Sequence, residues 1–275
     1  MTEQTDETPQ TWHYGLMSRW WAEFNVAEPG ELRLFGDAVR TYGEPALDLG
    51  CGAGRILLPL LAQGLDVDGV DMSPDMLARA RELAGGVGLV PRLFNQTMHG
   101  LELDRRYGTI YICDSFGLGG FRDQDRLALG RVHDHLLPGG ALVFNHYLPY
   151  DDVTEADWAS WLPEHRADYP RPWPGEGTRR PLADGDELEL LMHAVDFDPL
   201  LQRKTLEMRI RQWHGDTVVA DETHLLHENV YFAQELLSML SESGFADMRM
   251  LGRASGTSAT PADTHIVFIA RRASV

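Results

Sequence analysis

Cysteine and lysine are scarce in this chain of 275 residues. Cys51 and Cys113 are its only cysteines, too few for a disulfide framework or a cysteine-rich metal cluster, so we expect a reducing cytoplasm. Lys204 is the only lysine, which excludes a P-loop that holds phosphate with a lysine. The histidines show no spacing with carboxylates that would indicate a metal site.

Long apolar runs and net positive charge are also missing. No apolar run reaches the roughly 20 residues that a membrane span needs. Residues 1–10 are polar and acidic without a signal-peptide core, so we predict a disordered tail there and no membrane partner. The formal net charge of -18 argues against a nucleic-acid partner, because binding a phosphate backbone requires clustered cations.

Three glycines alternate with other residues where an apolar run ends. Gly50, Gly52 and Gly54 predict a turn between a strand and a helix, in which a ligand can approach the backbone without meeting a Cβ atom. The spacing GxGxG differs from the GxGxxG of dinucleotide sites, and either turn alone is weak evidence. Cys51 lies within the turn and is part of the predicted ligand contact.

Charged residues flank this turn. Asp48 precedes it, where a carboxylate would repel a pyrophosphate and suit a ligand that carries an ammonium group. Arg55 follows it and either reaches back over the turn or is solvated. About twenty residues later a second predicted strand ends at Asp71, which suits a carboxylate that accepts hydrogen bonds from ribose.

Residues 47–55 and 67–72 together resemble the S-adenosyl-L-methionine (SAM) site of class I methyltransferases. The resemblance implies SAM as the cofactor and S-adenosyl-L-homocysteine as the product. It also implies that Asp71 binds the ribose and that Met72 packs on the adenine. The resemblance also implies an acid after the third strand that meets the adenine amino group, but none occurs there. Asn95, Gln96 or Thr97 can offer a neutral acceptor instead, and we assign Gln96 and Thr97 to this role.

The chain alternates strands and helices before and after a central interruption, which predicts a Rossmann-like α/β fold. We expect a mostly parallel seven-stranded sheet with helices on both faces, and the resemblance implies that its last strand is antiparallel. The predicted strands cover residues 46–49, 67–70, 88–94, 107–114, 140–147, 246–251 and 265–271. Residues 137–140 are predicted to form a turn before the fifth strand.

Residues 151–230 interrupt this alternation. The segment 151–185 is rich in proline and tryptophan, and a short helix is predicted near residues 155–161. Residues 186–196, 204–214 and 217–230 then predict three antiparallel strands, with a hairpin at Gly215-Asp216. We interpret this region as an inserted lid sheet that binds the acceptor, between two parts of the cofactor domain at residues 11–150 and 231–275.

Candidate catalytic residues follow the fourth and fifth strands. Asp114 is expected to contact either the ammonium group of the cofactor or the acceptor, or else to cap its own loop. His146 is the best candidate for a general base, although a lone histidine is more often structural.

Candidate acceptor contacts come from three further segments. Tyr14 belongs to an aromatic N-terminal helix, which either covers the cofactor or simply packs on the core. On one predicted strand, Arg209, Arg211 and Trp213 share a polar face that either lines the acceptor pocket or is solvated. His146 and Tyr147 complete this set.

The resemblance implies a methyltransferase that acts on nitrogen or oxygen of a small molecule, such as a sugar amine or a natural-product intermediate. Two rival functions stay open: a nicotinamide-dependent oxidoreductase on the same type of fold, and a SAM-binding protein without turnover. The oligomeric state, monomer or homodimer, is also open.

Overall fold

A computed structural model describes residues 11–150, 160–253 and 256–274. Its helices are α1 (Gly15–Phe24), α2 (Pro29–Tyr42), α3 (Leu57–Ala62), α4 (Pro74–Gly86), α5 (Arg122–His135) and α6 (Ala233–Glu242), with a 3-10 helix at Pro163–Asp168. The strands before the insertion are β1 (Ala46–Leu49), β2 (Val67–Asp71), β3 (Arg92–Asn95), β4 (Tyr107–Ile112) and β5 (Leu136–Tyr147). They are followed by β6 (Thr178–Pro181), β7 (Glu187–Asp198), β8 (Arg203–His214), β9 (Thr217–Asn229), β10 (Ala246–Gly252) and β11 (His265–Arg271).

Seven of these strands form the main sheet in the order β10-β11-β5-β4-β1-β2-β3. The four pairs β3–β2, β2–β1, β1–β4 and β4–β5 are parallel. Strand β11 is antiparallel to both of its neighbours, β5 and β10. Every residue of β1 and β4 is buried, as expected for central parallel strands whose two faces are covered. The two large hydrophobic clusters lie on the two faces of this sheet. The predicted α/β fold and its antiparallel last strand are confirmed.

A second sheet, with the order β6-β7-β8-β9, is inserted between β5 and α6. It is antiparallel throughout, and its β8–β9 hairpin turns at Gly215, which has φ 57°. Met208 and Ile210 of β8 share a hydrophobic cluster with Met17 and Trp20 of α1. Helix α1 therefore covers one face of the inserted sheet.

Several predicted strand bounds differ from the structure, and β4, for example, ends at Ile112 instead of residue 114. β3 begins at Arg92 instead of residue 88, because Gly88 adopts φ 73° and residues 87–88 form a turn. β5 begins at Leu136 instead of residue 140. Gly139, within this strand, has a positive φ, and its N–H donates a hydrogen bond to Arg272 O at 3.1 Å. β6 was not predicted, since its four residues are all exposed and give no hydrophobic alternation.

The predicted tail at residues 1–10 and most of the helix predicted near residues 155–161 lie outside the described residues. Within the described ranges, no helix has the length and apolar character needed to cross a membrane.

Candidate functional site

The glycine turn joins β1 to α3 in the predicted way. Gly50, Gly52 and Gly54 have φ values of 82°, 53° and 88°, a region that side chains rarely adopt. A Cβ atom on Gly50 would lie 2.3 Å from Ser115 Oγ, so the turn approaches the loop after β4 too closely for any larger residue. The backbone N–H groups of Gly50 and Cys51 both donate to Val70 O, at 2.8 and 2.9 Å. These bonds fix the turn against the end of β2.

Asp71 ends β2 beside this turn. Its Oδ2 accepts a hydrogen bond from Gly52 N–H and its Oδ1 accepts one from Ser73 N–H, both at 2.8 Å. Burial raises the pKa of Asp71, and the N–H groups of Ser73, Gly52 and Met72 oppose that shift. Each oxygen keeps a further lone pair, so the oriented carboxylate can still accept hydrogen bonds from a ligand.

A cleft lies over the turn and consists of two adjoining cavities. The cavity of about 380 Å³ is lined by Gly52, Arg55, Asp114, Tyr147 and Arg253, among others. The other cavity extends past Met72 to the loop at residues 96–99 and the start of α5. Shared lining residues are His13, Gly50, Asp71, Ser115 and Leu118.

Ser115 has an unusual place in this cleft. Its Oγ is buried and has no hydrogen-bond partner among the described residues, although the side chain lines both cavities. A buried hydroxyl without a partner is unfavourable, so this atom favours a bound ligand that supplies one.

Arg55 is the centre of a charged cluster at one end of the cleft. Its guanidinium binds the buried carboxylate of Glu31 and also contacts Cys113 Sγ at 3.1 Å and Asp114 Oδ2 at 3.2 Å. Glu31 accepts a second ion pair from Arg253 at 2.7 Å. Of the two orientations left open for Arg55, the structure shows the one that reaches back over the turn.

The same cluster contains three groups with the spacing of metal ligands. Donor atoms of Glu31, Cys113 and Asp114 lie within 4.8 Å of one another. The guanidinium of Arg55 contacts all three. Burial raises the pKa of the Cys113 thiol, which keeps it protonated. The cluster is thus built around a permanent organic cation.

Asp114 directly follows β4 in a left-handed backbone conformation, with φ 54°. Asn145 of β5 holds it on both sides: Asp114 N–H donates to Asn145 Oδ1 at 2.9 Å, and Asn145 Nδ2 donates to the carboxylate. Burial alone would raise the pKa of Asp114, but His265, Arg253 and Arg55 together keep it below its usual value. Asp114 therefore stays ionised in the wall of the larger cavity.

Asp48 does not line the cleft and lies beneath the turn, with 2% of its surface exposed. Burial raises the pKa of Asp48 to about 7, although the nearby Tyr111 hydroxyl and Arg55 oppose the shift. Because Asp48 is buried below the turn, its direct contact with the cofactor stays a prediction that this geometry does not favour.

His146 and Tyr147 diverge at the end of β5. Tyr147 lines the larger cavity and stacks on His265 with ring centroids 3.7 Å apart. His146 lines neither cavity, and its ring centroid lies 6.1 Å from that of Tyr231. Burial, with a smaller effect from His265, lowers the pKa of His146 to about 4. A base this weak is poorly matched to proton abstraction near neutral pH.

Gln96 and Thr97 line the smaller cavity, but their polar groups already bind the backbone of their own loop. The Gln96 amide donates to Glu102 O at 3.0 Å and accepts from Glu102 N–H at 2.9 Å. Thr97 Oγ1 accepts from Gly100 N–H at 3.1 Å. Met72 lines the same cavity, as expected for a residue that packs on a base.

Arg209, Arg211 and Trp213 were expected to bind the acceptor, and the structure places them away from the cleft. They lie on the face of β8 opposite Met208 and Ile210, which pack on α1. Arg209 Nε donates to Asp221 at 2.8 Å, and Trp213 Nε1 donates to Glu189 at 3.0 Å. Both partners lie on the neighbouring strands, which agrees with the alternative that this polar face is solvated and does not line the acceptor pocket.

The N-terminal segment forms part of the cleft wall through a residue that sequence reasoning missed. His13 lines both cavities, and its backbone O accepts a hydrogen bond from Ser73 Oγ at the start of α4. Trp12 Nε1 donates to His13 Nε2 at 2.9 Å, which leaves the ring proton of a neutral histidine on Nδ1 beside Thr11 Oγ1. Burial lowers the pKa of His13 to about 4. Tyr14 follows as the residue before α1, near Asp71 and Asp75.

His265 and Arg253 were also missed, although one signal pointed to His265. An antiparallel last strand begins at the same sheet edge where its parallel neighbours end, so the first residue of β11 reaches the site. Glu31 gave no such signal, because its role depends on the distant Arg253.

Residues 46–140 match the family model described as a methyltransferase domain. A demethylmenaquinone methyltransferase from Thermus thermophilus is 37% identical over 106 residues, which are 38% of this chain and 47% of that protein. The chain thus spans about half the length of the curated relatives that it matches.

Two solved structures share the fold along nearly the whole chain. The sugar N-methyltransferase KedS8 from a Streptoalloteichus species has a TM-score of 0.68 at 16% identity, covering 99% of this chain and 97% of that one. The SAM-bound amino pentose methyltransferase CalS10 from Micromonospora echinaspora has a TM-score of 0.63 at 17% identity, with 96% and 99% covered. The chain therefore has the fold of these methyltransferases, and its residues 46–140 match a methyltransferase domain.

Proposed function

We propose that this protein transfers a methyl group from SAM to a nitrogen atom of a small molecule. The observation that carries the proposal is the arrangement of Asp71 and the glycine turn: an oriented carboxylate with free lone pairs beside a backbone that no side chain obstructs. Such a carboxylate suits the two hydroxyls of a ribose.

The charges along the cleft match those of SAM. Arg55 and Arg253 could bind the carboxylate of its methionine part, and Asp114 could bind the ammonium group. The unpaired Ser115 hydroxyl offers a further polar contact near the junction of the two cavities. When bound, SAM supplies an electrophilic methyl group on its sulfonium, and S-adenosyl-L-homocysteine remains after transfer.

The protein's own contribution would be to orient the two reactants and to exclude water. Trp12 and Trp21 line the larger cavity from the N-terminal side, and Tyr147 lines it from the end of β5. These aromatic side chains restrict the positions that an acceptor can take.

The weakness of the two candidate bases, Asp114 and His146, favours nitrogen over oxygen as the acceptor atom. A hydroxyl needs a base during transfer, whereas an amine can react in its neutral form and lose its proton afterwards. Asp114 has a lowered pKa and His146 has a pKa of about 4, so both bind protons weakly. The sugar N-methyltransferase and the amino pentose methyltransferase among the structural neighbours support an amino sugar as the acceptor class.

A nicotinamide dinucleotide fits the turn less well. Its pyrophosphate would need the N–H groups of the turn, but Gly52 N–H already binds Asp71, and a second negative charge there would be repelled. The acidic chain also favours a small acceptor over nucleic acid, and we keep the cytoplasm as the expected compartment.

The release of S-adenosyl-L-homocysteine tests the proposed transfer. The protein would be incubated with SAM and a panel of amino sugars, each paired with the sugar that has a hydroxyl in place of the amine. We expect release with at least one amine and none with its hydroxyl partner, and a rate that rises with pH as the free amine fraction grows. Release with hydroxyl sugars alone would refute nitrogen transfer. Tight SAM binding with no release from any acceptor would favour a binding protein without turnover.

A further inference from the structure

Asp125, near the start of α5, faces the smaller cavity of the cleft, in which Met72, Met98 and Ala128 provide apolar walls. Its side chain is buried, with 8% of its surface exposed. The residue lies far in sequence from the segment after β3, where an adenine-binding acid was expected. Its position in the same cavity makes it a candidate for that role.

Two donors fix one oxygen of this carboxylate. Asn229 Nδ2 and the Tyr231 hydroxyl both donate to Asp125 Oδ2 at 2.7 Å. The guanidinium carbon of Arg122 lies over the Tyr231 ring, 4.2 Å from its centroid. None of the hydrogen bonds between described residues involves Oδ1 of Asp125. The anchoring of Oδ2 thus leaves a carboxylate oxygen that can accept a hydrogen bond in the cavity.

The neighbouring polar groups are less available. The side chains of Gln96 and Thr97 bind the backbone of their own loop. Gln124 Oε1 accepts a hydrogen bond from Phe121 N–H at 3.0 Å at the start of α5. Asp125 is therefore a stronger acceptor than Gln96, Thr97 and Gln124, since a charged acceptor binds donors more tightly than a neutral one.

From this geometry we propose that Asp125 recognises the adenine of the cofactor by accepting a hydrogen bond from its exocyclic amino group. The amino group is the one hydrogen-bond donor on the base edges of adenine, so an acceptor-only carboxylate matches adenine and disfavours hypoxanthine, which carries an oxygen at that position. The low dielectric of the apolar cavity strengthens both the attraction to adenine and the discrimination against hypoxanthine. The proposal rests on the proposed SAM site and adds the residue that selects its base.

The test compares two ligands that differ at this one group. Binding of S-adenosyl-L-homocysteine and of S-inosyl-L-homocysteine would be measured by calorimetry for the wild type, Asp125→Asn and the control Asp123→Asn. Asp123 lies two residues away on the same helix and is exposed. We expect the wild type and the control to prefer the adenosyl ligand by roughly 10- to 100-fold, the range of one hydrogen bond to a charged group. Asp125→Asn should lose most of this preference, because its amide can also donate to the oxygen of hypoxanthine.

Thr97→Val provides a second variant that does not alter the buried carboxylate. It should keep the preference for the adenosyl ligand, whereas loss of the preference would assign recognition to Thr97 and overturn the proposal. Equal weakening of both ligands in Asp125→Asn would mean that the residue only supports the fold. If the wild type binds neither ligand, the proposed SAM site fails as well. If it binds both equally, only the adenine contact fails.

Discussion

Asp48 and Asp71 come from neighbouring strands and have different environments. Asp71 lies in the cleft with backbone N–H groups on both oxygens, whereas Asp48 lies under the glycine turn. Burial disfavours the charged form of both, and it raises the pKa of Asp48 to about 7. We therefore expect Asp48 to affect the stability of the protein and Asp71 to contact the ligand.

This difference predicts a pH-dependent effect of Asp48→Asn on stability. Asp48 has a pKa of about 7 in the folded protein and about 4 when unfolded, so its unfavourable contribution grows as pH rises from 4 to 7. Asp48→Asn removes that contribution. We expect the free energy of unfolding of the variant, relative to wild type, to be higher at pH 8 than at pH 5 by on the order of 2 kcal/mol.

Urea denaturation at the two pH values measures this change. The exposed Asp37, on helix α2, gives the matched control Asp37→Asn, which removes a carboxylate that is not buried. A relative stability of Asp48→Asn that is equal at both pH values would contradict the buried, titrating carboxylate.

At the scale of elements, α1 connects helix α4 to the inserted sheet through its first N–H groups. Gly15 N–H donates to Asp75 at the start of α4 at 2.7 Å, and Leu16 N–H donates to Glu222 of β9 at 2.8 Å. Tyr14 provides no side-chain cap, so these carboxylates satisfy donors that the helix leaves free. The segment that carries His13 is thereby held over the cleft from both sides.

Weakening one of these contacts should loosen the wall of the cleft. We expect Glu222→Gln to speed dissociation of S-adenosyl-L-homocysteine by roughly 2- to 5-fold, because a charge-assisted contact near the end of a helix contributes on the order of 1 kcal/mol. Stopped-flow tryptophan fluorescence can follow this step, since Trp12 and Trp21 line the larger cavity. Asp216→Asn in the exposed β8–β9 turn is the control, and equal rates for Glu222→Gln and wild type would show that this contact does not hold the wall.

Local sequence patterns predicted the helices and strands better than they predicted which face of a strand packs against a distant element. The glycine turn and Asp71 depend on neighbours within a few residues, and the structure places both as expected. Alternation correctly grouped Arg209, Arg211 and Trp213 on one face of β8, but it cannot tell which face a distant helix covers. The ion pairs of Glu31 and the placement of Asp125 join residues far apart in sequence, which a single sequence does not reveal.

At the scale of the whole molecule, the parallel sheet provides the cleft and the inserted sheet supports its wall. The inserted sheet is joined to the main domain through α1 and through Asn229, whose amide donates to Asp125. A cofactor in the cleft would thus contact residues that both sheets hold in place. The proposed function therefore requires that the cleft binds SAM.

Calorimetric titration of the protein with SAM and, separately, with NADH tests this central claim most directly. We predict saturable binding of SAM, no binding of NADH, and SAM affinity weaker by roughly 10- to 100-fold in Asp71→Ala, which removes hydrogen bonds between a carboxylate and the ribose. The exposed Asp37→Asn variant should bind SAM like the wild type. Binding of NADH without SAM, or an unchanged SAM affinity in Asp71→Ala, would contradict the account.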